Sequence, residues 1–163
     1  MCAHDMVVRR NTVTVVDYLN PQSAVAPAGK YSHLAISAGN ARIATFAGQI
    51  GTTPEAEISS SAAEQTRLVF AAIKTLLASQ GARPADLIRL LTLIVGRENL
   101  TEFNSVRNEV YDDWFPDGAY PVNTVAIVAG LADESILIEI EGSFVCPTPT
   151  PASPSTGGSS NTG

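Results

Sequence analysis

The hydrophobic pattern of the chain changes its period several times between the two ends. Short runs that are rich in β-branched and apolar residues, and that Gly, Pro or Asn bound, are typical of strands. Residues 87–95 form a continuous apolar run, which favours a strand covered on both faces. The pair Gly39-Asn40 predicts a hairpin-like turn between two of these runs. The predicted strands are residues 12–16, 34–37, 43–50, 87–95, 122–128 and 136–145.

One helix is predicted after the third strand. Ser61 and Glu64 have the spacing of a capping box, in which each side chain bonds the backbone N–H of the other residue. Gly81 can adopt the left-handed conformation that closes a helix. The apolar positions between them recur at helical spacing and predict one buried stripe: Val69, Ile73, Leu76 and Leu77.

A second helix is predicted after residues 87–95. Asn99 and Glu102 again have the spacing of a capping box, and Pro116 ends the pattern. Its predicted buried stripe is Phe103, Val106, Val110 and Trp114. Strands and helices in this mixed order favour an α+β fold, in which a single mixed sheet carries both helices on one face.

The last predicted strand indicates what the second face of the sheet carries. Side chains alternate between the faces of a strand, so every second residue shares a face. Ile136, Ile138 and Ile140 therefore lie on one face, and Leu137, Glu139 and Glu141 lie on the other. A face with both apolar and acidic residues fits a sheet that packs against other subunits, with carboxylates at a cavity or rim.

Length and composition indicate a single globular domain with one extended tail. The chain has 163 residues, enough to bury a core without disulfides, and 45% of them are hydrophobic. Residues 147–163 contain no aromatic or large aliphatic side chain, so we predict that they are disordered. Residues 1–10 are predicted to be loose, which leaves residues 11–146 as the domain.

Charge and cysteine content exclude several classes of protein. The net charge of −6 disfavours binding to a nucleic acid backbone, which requires a basic surface. No apolar stretch approaches the ~18 residues of a membrane span. Cys2 and Cys146 form neither a disulfide framework nor a metal-binding spacing, which favours a reducing compartment, the cytoplasm. His4 and His33 are too few and too far apart to indicate a metal site.

Several short segments, taken in order along the chain, resemble the Rid (YjgF-like) family. Each is weak alone, but together they cover roughly residues 28–146 and are fairly specific. The segments are GKYSH at 29–33, FAGQI at 46–50, a second helix with Phe103, Asn108, Tyr111 and Phe115, PVN at 121–123, and Leu131 followed by IEIE at 138–141.

The resemblance implies a fold and an activity. The fold is similar to chorismate mutase, and three subunits pack their sheets into a central barrel with substrate pockets in the clefts between neighbours. Many family members hydrolyse reactive enamines and imines to ketoacids and ammonia. They need no metal or organic cofactor. A homotrimer with a small-molecule substrate is therefore the expected assembly.

The chain departs from the family pattern at three positions. Asn123 stands where the family has an arginine that binds the substrate carboxylate, Ala47 replaces a serine, and Val125 replaces a frequent cysteine. Leaving a carboxylate without its charged partner typically costs about 2–5 kcal/mol. Lys30 or Arg107 is a candidate substitute for the missing charge. We therefore expect a neutral pocket and a larger, less acidic imine or enol as substrate, for example in specialised metabolism.

Seven residues are predicted to form the site. Glu139 is the acid–base candidate, because the matching family carboxylate orients water and half-buried carboxylates often have raised pKa values. Tyr31 is the second catalytic candidate, and the alternative for it is hydrophobic packing. The alternative for Glu139 is a solvated sheet rim, and for His33 a structural role. The predicted substrate-binding residues are Asn123, Asn108, His33, Gln49 and Gly48.

Three functions follow from these residues. The preferred one is an enzyme that uses acid–base chemistry to hydrolyse, tautomerise or cyclise a reactive imine, enamine or enol. The second is the 2-imino-acid or enamine deaminase activity typical of the family. The third is a non-catalytic trimer that binds a metabolite or a protein, which the loss of the arginine would allow.

Overall fold

The computed structural model describes residues 16–147. The prediction of a loose N-terminus at residues 1–10 lies outside the described residues, as do positions 12–15 of the first predicted strand and all but Pro147 of the tail predicted to be disordered at residues 147–163. The elements are β1 Val16–Leu19, β2 Leu34–Ser37, β3 Arg42–Ile50, α1 Ala62–Ser79, β4 Leu87–Val95, α2 Leu100–Trp114, β5 Val122–Val128 and β6 Ile138–Cys146.

The main sheet has four strands in the order β3-β6-β4-β5. The central strand β4 is antiparallel to β6 and parallel to β5, so the sheet is mixed. Strands β1 and β2 form a separate antiparallel pair. Strand β5 therefore lies at one edge of the sheet and β3 at the other.

Both helices pack on the same face of this sheet, which confirms the predicted α+β class. Ile138 and Ile140 of β6 and Leu90 and Ile94 of β4 are fully buried beneath them. The helices contribute a complementary set of buried side chains: Val69, Phe70, Ile73, Leu77, Phe103 and Tyr111. Glu139, on the opposite face, is partly exposed, as strand alternation predicts. None of the helices in the described part of the chain is long and apolar enough to cross a membrane.

The predicted hairpin around Gly39-Asn40 is wrong in its pairing. A turn does form, since the Ala41 N–H donates to the Ala38 carbonyl at 3.0 Å. However, β2 pairs with β1 and β3 pairs with β6. Phe46 of β3 lies opposite Gly142 of β6, and its ring joins the core. Burial along the longer strand therefore decides the pairing of β3, and the local turn does not.

The N-termini of the helices differ in part from the predicted capping boxes. The Ser61 hydroxyl accepts a hydrogen bond from the Glu64 N–H at 3.3 Å, as expected. The Ser61 N–H donates to the Ser59 hydroxyl instead of to Glu64. The second capping box is wrong, because Asn99 has helical backbone angles and its side chain donates to the Val95 carbonyl. Glu102 instead accepts from the Ala63 N–H at 3.1 Å and so caps α1.

Candidate functional site

A cleft of about 620 Å³ lies between helix α2 and the edge strand β5. The helix does not fully cover this strand, so Val125 and Ile127 remain 38% and 37% exposed on the helix-bearing side. The loop before β2 closes one end of the cleft. Its lining is Ala28, Gly29, Lys30, Tyr31, Arg97, Leu100, Asn104, Arg107, Asn123, Val125 and Ile127.

Two of the predicted site residues, Tyr31 and Asn123, lie together in this cleft. Asn123 is opposite Leu90 in the sheet, on the face that the helices cover. Its Oδ1 atom accepts from the Thr92 hydroxyl at 3.3 Å. The Tyr31 hydroxyl accepts from the Ala28 N–H at 3.3 Å, which orders the loop that ends the cleft.

Glu139 and Gly48 form a second group on the opposite face of the sheet, whereas Gln49 of β3 is opposite the core residue Ile140. Glu139 is opposite Leu93 of β4 and Ile50 of β3. The register of β3 shifts between Phe46 and Gln49, and a Cβ atom at Gly48 would lie 1.7 Å from Glu139 Oε1. The carboxylate therefore rests over the glycine. Within one chain the sheet separates Glu139 from the cleft.

His33 and Asn108 do not line the cleft. A ring nitrogen of His33 lies 2.7 Å from the Val25 carbonyl, and its backbone N–H donates to the Asn20 side chain at 2.9 Å. These contacts fit the structural role weighed for His33. The Asn108 Oδ1 accepts from Arg107 Nη2 at 3.1 Å, so Asn108 helps to position Arg107, which does line the cleft.

Arg107 lines the cleft and Tyr111 lies fully buried beside it, yet the sequence indicated Arg107 only as a substitute and did not single out Tyr111 as a site residue. The guanidinium of Arg107 lies over the rings of Phe103 and Tyr111, 5.7 and 5.8 Å from their centroids. The sequence does contain a signal for this arrangement. Phe103, Arg107 and Tyr111 recur every four residues and so share one face of a helix.

Burial shifts the pKa values of both Arg107 and Tyr111. Burial lowers the pKa of the Arg107 guanidinium, and the neighbouring Tyr111 and Tyr120 partly oppose that effect. Arginine nevertheless stays charged at any physiological pH. The hydroxyl of Tyr111 is buried and makes no hydrogen bond of ordinary geometry among the described residues, although Asn123 is near enough to act on its pKa. Burial raises the pKa of Tyr111 well above its usual value.

Replacing Tyr111 with phenylalanine is expected to remove part of the alkaline instability of the domain. The folded chain favours the neutral phenol of Tyr111, whereas the unfolded chain ionises it above about pH 10, the pKa of an unfolded tyrosine. Tyr111 therefore leaves the free energy of unfolding unchanged below that pH and lowers it as the pH rises further. Urea unfolding at pH 8 and pH 11 measures the change, and Tyr31→Phe, at a partly exposed ring, is the control. At pH 8 the variant should lie within about 1 kcal/mol of the wild type, because the lost hydroxyl has no good partner. A larger loss at pH 8 would show a strong hydrogen bond to Asn123.

The described residues offer no obvious place for a metal. No group of three His, Cys, Asp or Glu side chains in residues 16–147 is arranged to hold an ion. The polar groups that line the cleft are cations, amides and a phenol. Such groups can bind anions and carbonyls by hydrogen bonds and charge.

Comparisons with known proteins agree on one family. The model of the family described as endoribonuclease L-PSP matches residues 21–146. A conserved Rid protein from Yersinia pestis, YyfB, superposes with a TM-score of 0.69 at 26% identity, over 80% of this chain and 98% of that one. The yeast protein YEO7 has a TM-score of 0.55 at 26% identity, over 76% and 92% of the two chains.

A third structure shows likeness of fold alone. It is Escherichia coli TdcF with bound serine, with a TM-score of 0.59 at 24% identity, over 75% of this chain and 90% of that one. A search of curated proteins found no significant match. The family model spans most of the described residues, and the fold agrees with it. The chain therefore belongs to the endoribonuclease L-PSP family, which is the Rid/YjgF family that its segments resemble.

Proposed function

We propose that this protein is a small-molecule enzyme that acts on a reactive imine, enamine or enol by acid–base chemistry. The cleft between α2 and β5 carries the proposal, because it has room for a metabolite and contains Tyr31 and Asn123, two positions within the segments that resemble the family. The fold of the structural neighbour TdcF, which was solved with bound serine, can hold a small polar metabolite. Hydrolysis, tautomerisation and cyclisation all fit a site with amide and phenol donors.

The proposed catalytic acid–base group is Glu139, and it requires more than one chain. Glu139 lies on the face opposite the cleft, beside Leu93, and Leu91 and Val95 on the same face are only partly buried. A face on which partly exposed apolar residues lie among carboxylates favours burial of the apolar part against copies of itself. We propose a homotrimer in which these faces meet and a neighbouring chain brings its Glu139 to the pocket. A cytoplasmic location fits the proposal.

The family-typical activity gives the first test. The purified chain is mixed with an enzyme that releases 2-aminoacrylate or 2-iminobutanoate, and formation of the ketoacid is followed. Release above the uncatalysed rate would identify a deaminase. Release at the uncatalysed rate would exclude that activity and leave the larger imine or enol as the proposed substrate.

Replacing Glu139 with glutamine is expected to lower kcat by about 10²–10⁴-fold, the range that a general acid or base contributes. The matched control is Glu141→Gln, two positions along on the same face, where the carboxylate contacts Arg89 at 3.5 Å. The control should keep its activity within about twofold, since half-exposed ion pairs contribute little. Steady-state turnover of the identified substrate measures both. Equal turnover by Glu139→Gln and the wild type would remove Glu139 from the mechanism.

One observation favours the alternative of a non-catalytic binding protein. The sheet separates Glu139 from Asn123 within one chain, so a monomer has no carboxylate in its cleft. Turnover by the full chain, measured together with its sedimentation, distinguishes the two proposals. Both expect a trimer: a trimer with turnover would support the enzyme, and a trimer that binds metabolites without turnover would support the alternative.

A further inference from the structure

Three cations line the cleft although the chain as a whole is acidic. Lys30, Arg97 and Arg107 line it, and none of its lining residues carries a carboxylate. The net charge of the chain is −6, so this concentration of positive charge runs against the average surface. It also differs from the neutral pocket that Asn123 alone led us to expect. A concave site with one sign of charge raises the local concentration of ions of the opposite sign.

The three cations are not equivalent. The Lys30 ammonium already has partners, because it pairs with Asp112 and donates to the Asn108 carbonyl. Arg97 is exposed, so solvent and salt screen its charge. Arg107 is half-buried and has no carboxylate within ion-pair distance among the described residues.

The donors of Arg107 are only partly satisfied. Its Nη2 atom donates to Asn108 Oδ1 at 3.1 Å, while its Nε atom is buried and has no partner in the described part of the chain. The rings of Phe103 and Tyr111 pack against the guanidinium and restrict its orientation. A desolvated charge is costly unless an opposite charge or hydrogen bonds compensate for it. The Arg107 guanidinium is therefore held in place but has no anionic partner among the described residues.

We propose that Arg107 is the anion anchor of this cleft and that the substrate carries a compact oxyanion, a carboxylate or a phosphate group. The step from a bound oxyanion to a substrate rests on the proposed function. The planar fork of an arginine binds two oxygens of such a group at once. Asn123 supplies an amide to a neighbouring carbonyl or imine, and Leu100, Val125 and Ile127 contact the apolar part of the molecule. Asn123 on β5 is uncharged, and Arg107 on α2 supplies the positive charge in its place.

Binding measurements on the full chain test the anchor without requiring turnover. The probes are 2-oxobutanoate, inorganic phosphate and the neutral ketone 2-butanone, and ligand-observed NMR gives each dissociation constant. The wild type is expected to bind at least one of the two oxyanions at least tenfold more tightly than the ketone, with an affinity that falls as salt rises. Tighter binding of 2-oxobutanoate assigns a carboxylate, and tighter binding of phosphate assigns a phosphate group. Equal binding of the ketone would overturn the proposal.

Variants assign the effect to Arg107. Arg107→Met is expected to weaken oxyanion binding at least tenfold, and Arg107→Lys is expected to fall between it and the wild type because it keeps the charge without the fork. Arg67→Met removes the same charge from an exposed pair with Glu64 on α1 and should bind like the wild type. If Arg107→Met does not fold, the Lys variant and the salt dependence decide. Wild-type affinity in Arg107→Lys and no salt effect would overturn the anchor.

The outcome can be separated from that of the proposed function. Oxyanion binding that depends on Arg107, in a chain that turns over no imine or enol, would keep the anchor and reject the enzyme. Undiminished oxyanion binding and kcat/KM in Arg107→Met would keep the enzyme and reject the anchor.

Discussion

Replacing Gly51 with alanine is expected to lower the free energy of unfolding by about 3 kcal/mol, the upper part of the usual cost of overpacking. Gly51 is buried at the end of β3, where the chain passes against helix α1. A Cβ atom there would lie 2.4 Å from the Cα atom of Gln65 and 2.5 Å from its carbonyl oxygen. Because these are backbone atoms, the helix itself would have to move.

A matched glycine provides the control. Gly39, in the turn before β3, has open space where its Cβ atom would be, and neither glycine has a positive φ. Gly39→Ala should therefore be neutral or gain up to ~1 kcal/mol from the stiffer unfolded chain. Urea unfolding of both variants separates the steric effect from the effect on chain entropy. Equal stability of the two variants would show that α1 adjusts freely to the extra methyl group.

Replacing Gln65 with methionine is expected to cost about 4 kcal/mol. Gln65 is fully buried in α1 and uses both ends of its amide. Its Nε2 atom donates to the carbonyls of Ser59 and Ser135 at 2.6 and 2.8 Å, and its Oε1 accepts from the Leu137 N–H at 2.8 Å. Methionine fits the same volume but leaves these backbone groups without a partner, at roughly 1–3 kcal/mol each.

The same substitution at an exposed glutamine is the control. Gln80, just after α1, hydrogen-bonds only within its own turn, to Ser79. Gln80→Met should change the unfolding free energy by less than about 0.5 kcal/mol. Chemical denaturation measures both variants, and hydrogen exchange at the start of β6 should rise only in Gln65→Met. A loss below 1 kcal/mol at Gln65 would mean that water replaces the amide.

Much of the fold could be predicted because its causes are local. The apolar stripe of α1 has the spacing of a buried helix and the run at 87–95 predicts a strand, and both elements form close to the predicted bounds, although within one chain the second face of that strand is only partly buried. The alternation at Ile138 and Glu139 also predicts correctly which side chain faces the helices. These outcomes follow from the periods of 3.6 and 2 that each backbone imposes on its side chains.

The failures concern contacts between distant parts of the chain. The spacing of Glu102 predicts a cap for its own helix, but the carboxylate reaches the N-terminus of α1 instead. Gln65 has the spacing of a buried residue, yet its partner Leu137 is 72 positions away. A local pattern shows which side of a helix is buried but carries no information on what lies against that side.

The candidate site divides in the same way. The resemblance brought Tyr31 and Asn123 into consideration, and both line the cleft. Placing Glu139 in that cleft cannot be decided from one strand, because the sheet separates the two groups within a chain. The role proposed for Gly48 depends on the same second face, and Gln49 lies on the edge strand β3, away from the cleft. Both roles stay predictions together with that of Glu139.

By itself, the sequence determined the class of fold, the two amphipathic helices and the family of this protein, since period, composition and short motifs are properties of neighbouring residues. The tertiary structure alone decided that β3 pairs with β6, that Gln65 joins α1 to the start of β6, and that Arg107 lies across from Asn123 in a cationic cleft. Each of these depends on the distance between residues that are far apart along the chain, and only the packed core sets that distance.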